Sequence, residues 1–189
     1  MKAKLVEKDH GWRAFIERVK QIPNSHVKVG VLADDARGGL HVPGGKLTVA
    51  EIAAVNEFGT EDGRIPARSF VRSTFEEERE HLVDLGKELM RKVLEGMSVE
   101  QALNIMGSTL ATAIKKKITV GEGIPPPNAP STLRRKAMKG KGVRAARGKP
   151  SFDQKFEASK AGVRTLVDTG RLLGAITWSV VLGKGEPEK

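Results

Sequence analysis

Val27-Lys28-Val29-Gly30-Val31-Leu32 is β-branched and alternates over its first residues, so it reads as a strand. A second stretch, Ala175-Ile176-Thr177-Trp178-Ser179-Val180-Val181-Leu182, alternates well enough to close a sheet. Between them Ile65-Pro66-Ala67-Arg68-Ser69-Phe70 is extended. The expected fold is α+β. A small, mainly antiparallel sheet would carry strands near 27–32, 65–70 and 175–182, packed by one long and one medium helix and joined by long loops.

Outward from the first strand, the pattern turns helical. Trp12, Phe15, Ile16 and Val19 recur at three- and four-residue spacing, predicting a helix over 9–22 with Asp9 as N-cap and Pro23-Asn24 as its end. Thr48-Val49-Ala50-Glu51 fits a capping box, and Gly59 stops the short helix behind it. The longest predicted helix is 71–95, with a stripe of Val71, Phe75, Leu82, Leu85, Leu89 and Val93. It would cross the sheet. Ser98-Val99-Glu100-Gln101 opens a second helix to about Lys117, packed against the first. One domain accounts for residues 1–189. Segments 33–47 and 119–163 read as extended or mobile loops, and 183–189 as a disordered tail.

The net charge of +10 is concentrated. From Ser131 to Arg164 eleven bases stand against two acids, so this stretch carries +9 and the remainder is close to neutral. Arg134, Arg135, Lys136, Lys139, Lys141, Arg144, Arg147 and Lys149 form its dense part. Such a run meets a polyanion, meets an acidic partner or is solvated. Phe152 and Phe156 are the only aromatics near it and the chain has no tyrosine. That argues against sequence-specific nucleic-acid reading, though non-specific phosphate contact needs only Lys and Arg.

No enzyme chemistry assembles from the motifs. The chain has no cysteine, which removes disulfides, thiolate metal sites and cysteine nucleophiles. His10, His26, His41 and His81 pair with no other ligand at metal spacing. The glycine loop Gly39–Lys46 looks like a phosphate loop, but its lysine comes one residue late and Leu47 stands where a serine or threonine is needed. Glu76, Glu77, Glu78 and Glu80 point in different directions on a helix. The expectation is a non-enzyme with no cofactor. No stretch approaches a membrane span and no signal sequence opens the chain, so a reducing cytoplasm is the expected place of assembly.

Three patterns stand in order: Val49-Ala50-Glu51-Ile52-Ala53-Ala54-Val55-Asn56-Glu57-Phe58-Gly59-Thr60, then Ile65-Pro66-Ala67-Arg68-Ser69-Phe70-Val71, then Leu166-Val167-Asp168-Thr169-Gly170-Arg171-Leu172-Leu173-Gly174-Ala175-Ile176-Thr177-Trp178. The chain resembles the neck, tail-completion and virion-morphogenesis proteins of tailed phages, Mu-like ones included. The resemblance covers about 27–95 and 165–182. Ser69 departs from the proline usual there, and Gly174-Ala175 from a polar pair. It implies a structural subunit of the head–tail connector, joining the DNA-filled head to the tail within the virion. The alternative is a non-specific DNA-binding accessory protein. The implied partners are other copies in a ring, six by first choice and twelve as the alternative. Adjacent neck, adaptor or tail-tube proteins would follow, with non-specific contact to packaged DNA and none to a membrane. Candidate interface residues are Asn56, Glu57, Phe58, Arg68, Phe70, Asp168, Thr169 and Arg171. Asn56 or Glu57 would bond backbone where the helix ends at Gly59. Phe58 and Phe70 would anchor the ends of the loop between them, and Arg68 would grip a neighbour's carboxylate. The basic residues 134–149 would face the DNA lumen or an acidic subunit.

Overall fold

A computed structural model of the protein describes residues 10–32, 47–120 and 170–183, with Ile124, Pro126 and Leu166. The fold is α+β. Strands β1 (His26–Val31) and β2 (Ile176–Val181) pair antiparallel, with His26 opposite Val181 and Val31 opposite Ile176. Alternation gives this ribbon two unlike faces. Val27, Val29 and Val31 share one face with Ile176 and Trp178, and most of these enter the main apolar cluster. His26, Lys28 and Ser179 lie exposed on the other.

The apolar face rests on α5 (Val99–Val120), the longest helix described. Gly107 makes the seat possible. A Cβ there would lie 2.5 Å from Trp178 Cδ1 and 2.8 Å from Val27 Cγ2. Trp178 is then fixed by its indole N–H, which donates to Asn104 Oδ1 at 3.0 Å. Ala111, Ile114 and Ile118 of α5 join Ala53, Phe70, Ile124, Leu172 and Ile176 in this first cluster. A second cluster joins Val99 and Ala102 to Leu89 and Val93 of α4 (Arg79–Glu95). Both expected capping boxes form. Thr48 and Glu51 bond reciprocally at the start of α2 (Val49–Phe58), and Ser98 and Gln101 do so before α5.

Four expectations need correction. Residues 65–70 are not a strand of the sheet. Their backbone bonds go elsewhere: Arg68 N–H to Asn56 O, and Phe70 N–H to the Glu57 carboxylate, while Pro66 has no N–H to give. The helix expected over 71–95 is two helices, α3 (Val71–Glu77) and α4, bent at Glu78 (φ −87°, ψ 3°). Bonds from Glu78 N–H to Thr74 O and from Leu82 N–H to Glu78 O carry the backbone through the bend. On either side of it the chain serves different cores, Phe70 and Val71 the first, Leu89 and Val93 the second. The layer order is also reversed, since α5 lies on the sheet and α4 on α5. Helix α1 (Trp12–Gln21) starts later than expected, at a left-handed Gly11 with no side-chain cap. The last helix, α6 (Arg171–Ala175), likewise follows a left-handed Gly170.

Candidate functional site

The first two sequence patterns meet at one carboxylate. Glu57 sits in the last turn of α2 and is buried. Its Oε1 accepts from Ser69 Oγ at 2.6 Å and from the Arg72 N–H at 3.1 Å. Its Oε2 accepts from the N–H groups of Phe70 at 2.8 Å and Val71 at 3.0 Å. The orphan donors at the start of α3 are therefore satisfied by a side chain thirteen residues upstream, because Phe70, at the N-cap, offers no side-chain acceptor. Burial works to raise the carboxyl's pKa, but the bonds from Ser69, Val71, Arg72 and Phe70 outweigh it and hold it below the ordinary value.

Gly59 completes the turn out of α2. Its φ is +79°, and a Cβ there would lie 2.8 Å from Ala67 N and 2.9 Å from Ile65 O. Both the angle and the close approach require glycine. The intervening loop is braced by Thr60 N–H to Ile65 O at 2.9 Å and by Thr60 Oγ1 to Asp62 at 2.6 Å.

The other candidates divide. Asn56 turns back on its own helix, donating from Nδ2 to Ile52 O at 2.7 Å. Arg68 is buried and donates from Nε to Pro126 O at 2.9 Å, an engagement within its own chain. Phe70 is 1% exposed and anchors the loop's far end. Phe58, expected to anchor the near end, is 74% exposed. Arg171 is exposed at the start of α6. Asp168, Thr169 and the basic run from Arg134 to Lys149 lie outside the described residues. So do nearly all of the expected loops 33–47 and 119–163, except that α5 runs on to Val120. Of the expected tail, Gly183 is described, and its N–H donates to Ser25 Oγ at 2.9 Å.

Beside this junction runs an open apolar groove of about 830 Å³. Leu103, Met106 and Leu110 of α5 form part of its lining, with Val27, Val29 and Val31 of β1, and Ala54 and Phe58 of α2. Phe70 at the N-cap of α3 borders it, as do Val71, Arg72 and Phe75 of α3 and Leu82 of α4. Phe75, expected in the buried stripe, is 50% exposed here, while Thr74 next to it is buried. Spacing alone could not separate the two, because the bend at Glu78 shifts the buried face. The chain matches no family model, no curated protein and no solved structure. Among the described residues no helix is long and apolar enough to cross a membrane, and no three His, Asp or Glu side chains gather as a metal set.

Proposed function

We propose that this protein is a structural subunit of a tailed-phage particle, forming a ring at the neck or tail end where head and tail join. The supporting observation is the convergence of the three ordered motifs. Ala53 of the first, Phe70 of the second, and Leu172 and Ile176 of the third pack in one cluster. Glu57 ties the first directly to the second. Residues separated by more than half the chain thus act as one scaffold, and their work is positional. An apolar groove and an exposed Phe58 beside that scaffold suit contact with another protein chain.

The experiment is inactivation of the coding sequence in its own genome, followed by electron microscopy of the particles. Filled heads separated from tails, or tails of abnormal end structure, are expected. Intact infectious particles would sink the reading. The accessory DNA-binding alternative rests on the +9 stretch 131–164. It requires duplex binding by the purified chain that weakens steeply with salt and disappears when 134–149 is neutralised.

A further inference from the structure

Among the described residues β1 pairs with β2 alone, so its other edge is open. In an antiparallel ribbon every second residue turns its N–H and C=O away from the partner, which leaves about three such residues of β1 facing that edge. The apolar groove runs along it. Val29, Gly30, Val31 and Leu32 line the groove in succession, and no residue of β2 does. Leu103, Met106 and Leu110 of α5, the helix that carries the sheet, line it as well. A strand laid there would extend the sheet over α5. The stretch 65–70 was expected in that role, but it gives its N–H groups to Asn56 and Glu57.

The lining narrows the occupant. Open backbone groups call for an extended segment, and an apolar trough calls for apolar side chains at alternate residues. Glu57 and Arg72 are the charged residues among those that line it. The two oxygens of Glu57 are spent on four donors. Arg72 is exposed, and among the described residues its guanidinium has no hydrogen-bond or ion-pair partner. The occupant is therefore a strand that is apolar on one face and brings one carboxylate on that same face.

The N-terminal segment has this make-up. Met1, Ala3 and Leu5 alternate with Lys2 and Lys4, and Glu7 keeps the phase of the apolar positions. In a strand Met1, Ala3, Leu5 and Glu7 share one face, and the lysines turn to water on the other. The length also fits. The described chain begins at His10, and the nine residues before it span up to about 30 Å when extended. Helix α1 is about 15 Å long, and Ile22 just past its end packs in the same cluster as Leu103 and Met106 of the groove. A segment folded back along α1 thus reaches the groove of its own copy. Tethering gives it an effective concentration of about millimolar, which favours its own groove over a neighbour's in dilute solution.

We infer that residues 1–9 bind the groove of their own chain as a third strand on β1, with Ala3 and Leu5 in the trough and Glu7 at Arg72. The inference does not rest on the ring reading. A neighbour in a ring would meet the outer edge of the added strand.

The test is amide hydrogen exchange of the full chain by NMR, at two protein concentrations. In the wild type all the amides of β1 are expected to be protected. In Leu5→Asp the alternate amides that face away from β2 should exchange at least about tenfold faster, while those bonded to β2 keep their protection and report an intact fold. Ala3→Asp serves as a second variant. Lys4→Gln, on the outward face, should leave the pattern unchanged. Glu7→Arg should weaken the protection, and adding Arg72→Glu should restore it. Outward amides that are unprotected in the wild type would overturn the inference. Protection that survives both Leu5→Asp and Ala3→Asp would assign the edge to another segment and overturn it too. So would protection that falls on dilution, since the strand would then come from a second copy.

Discussion

Glu57 shows how much one side chain can hold. Its two oxygens take four donors, three of them backbone N–H groups of the turn that opens α3. Glu57→Gln keeps the size but turns an NH₂ toward two of those donors. A loss of about 2–3 kcal/mol in chemical unfolding is expected, because donors with no acceptor carry their desolvation cost. Glu51→Gln, in the exposed capping box of α2, should cost less than about 1 kcal/mol. The same carboxylate makes stability depend on acid. Its folded pKa lies below the unfolded value, so its contribution is present in full above the unfolded pKa and is lost as pH falls through the folded one. Melting temperature measured from neutral pH into the acid range should fall more for the wild type than for Glu57→Gln. Equal slopes would count against this role. The sequence made this residue half legible. A polar side chain beside Gly59 was expected to bond backbone, but the backbone was assumed to be that of its own helix end. The true recipient lies beyond a loop whose path is set by Gly59 and Thr60, and no spacing rule gives that path.

At the scale of elements, two glycines on facing helices separate packing from propensity. At Gly107 a Cβ would crowd Trp178 and Val27, all inside 3.0 Å. Overpacking costs about 1–3 kcal/mol, while alanine regains about 1 kcal/mol of helix propensity. With three close atoms the crowding wins, so Gly107→Ala should destabilise by about 1–2 kcal/mol. At Gly86 a Cβ would meet only Met106 Cε, at 3.5 Å. There the propensity gain stands, and Gly86→Ala should stabilise by up to about 1 kcal/mol. Thermal melts of both variants check the pair, and equal signs would refute the argument. The starts of α2 and α5, the ends of α2 and α4 and both strands were legible, because Thr48, Ser98, Gly59 and Gly96 are local signals and Val27–Val31 alternates. The third strand and the long helix were not. Extended residues 65–70 become a strand only if a partner takes their N–H groups, and here Asn56 and Glu57 take them first. The acidic run 76–78 gives no breaker that would announce a bend.

For the whole molecule, the layers follow from one helix. Helix α5 receives the sheet, α3 and α4. Its two ends serve two clusters, Ile114 and Ile118 in the first and Val99 and Ala102 in the second. Those layers leave an apolar trough open beside β1. The pairing of His26 with Val181 has a kinetic side as well. As the chain leaves the ribosome, β1 emerges early and its only described partner strand emerges late. For most of synthesis Gly107 has no indole upon it, and α4 and α5, neighbours in sequence, can associate alone. Closing the ribbon then requires joining strands that lie 155 residues apart at the His26–Val181 pair, an entropic cost that slows folding. In pulse-labelled hydrogen exchange during refolding, the amides of α4 and α5 should gain protection before those of β1 and β2. The trough beside β1, whose lining comes from β1, α2, α3, α4 and α5, would then be the last surface of the molecule to take shape.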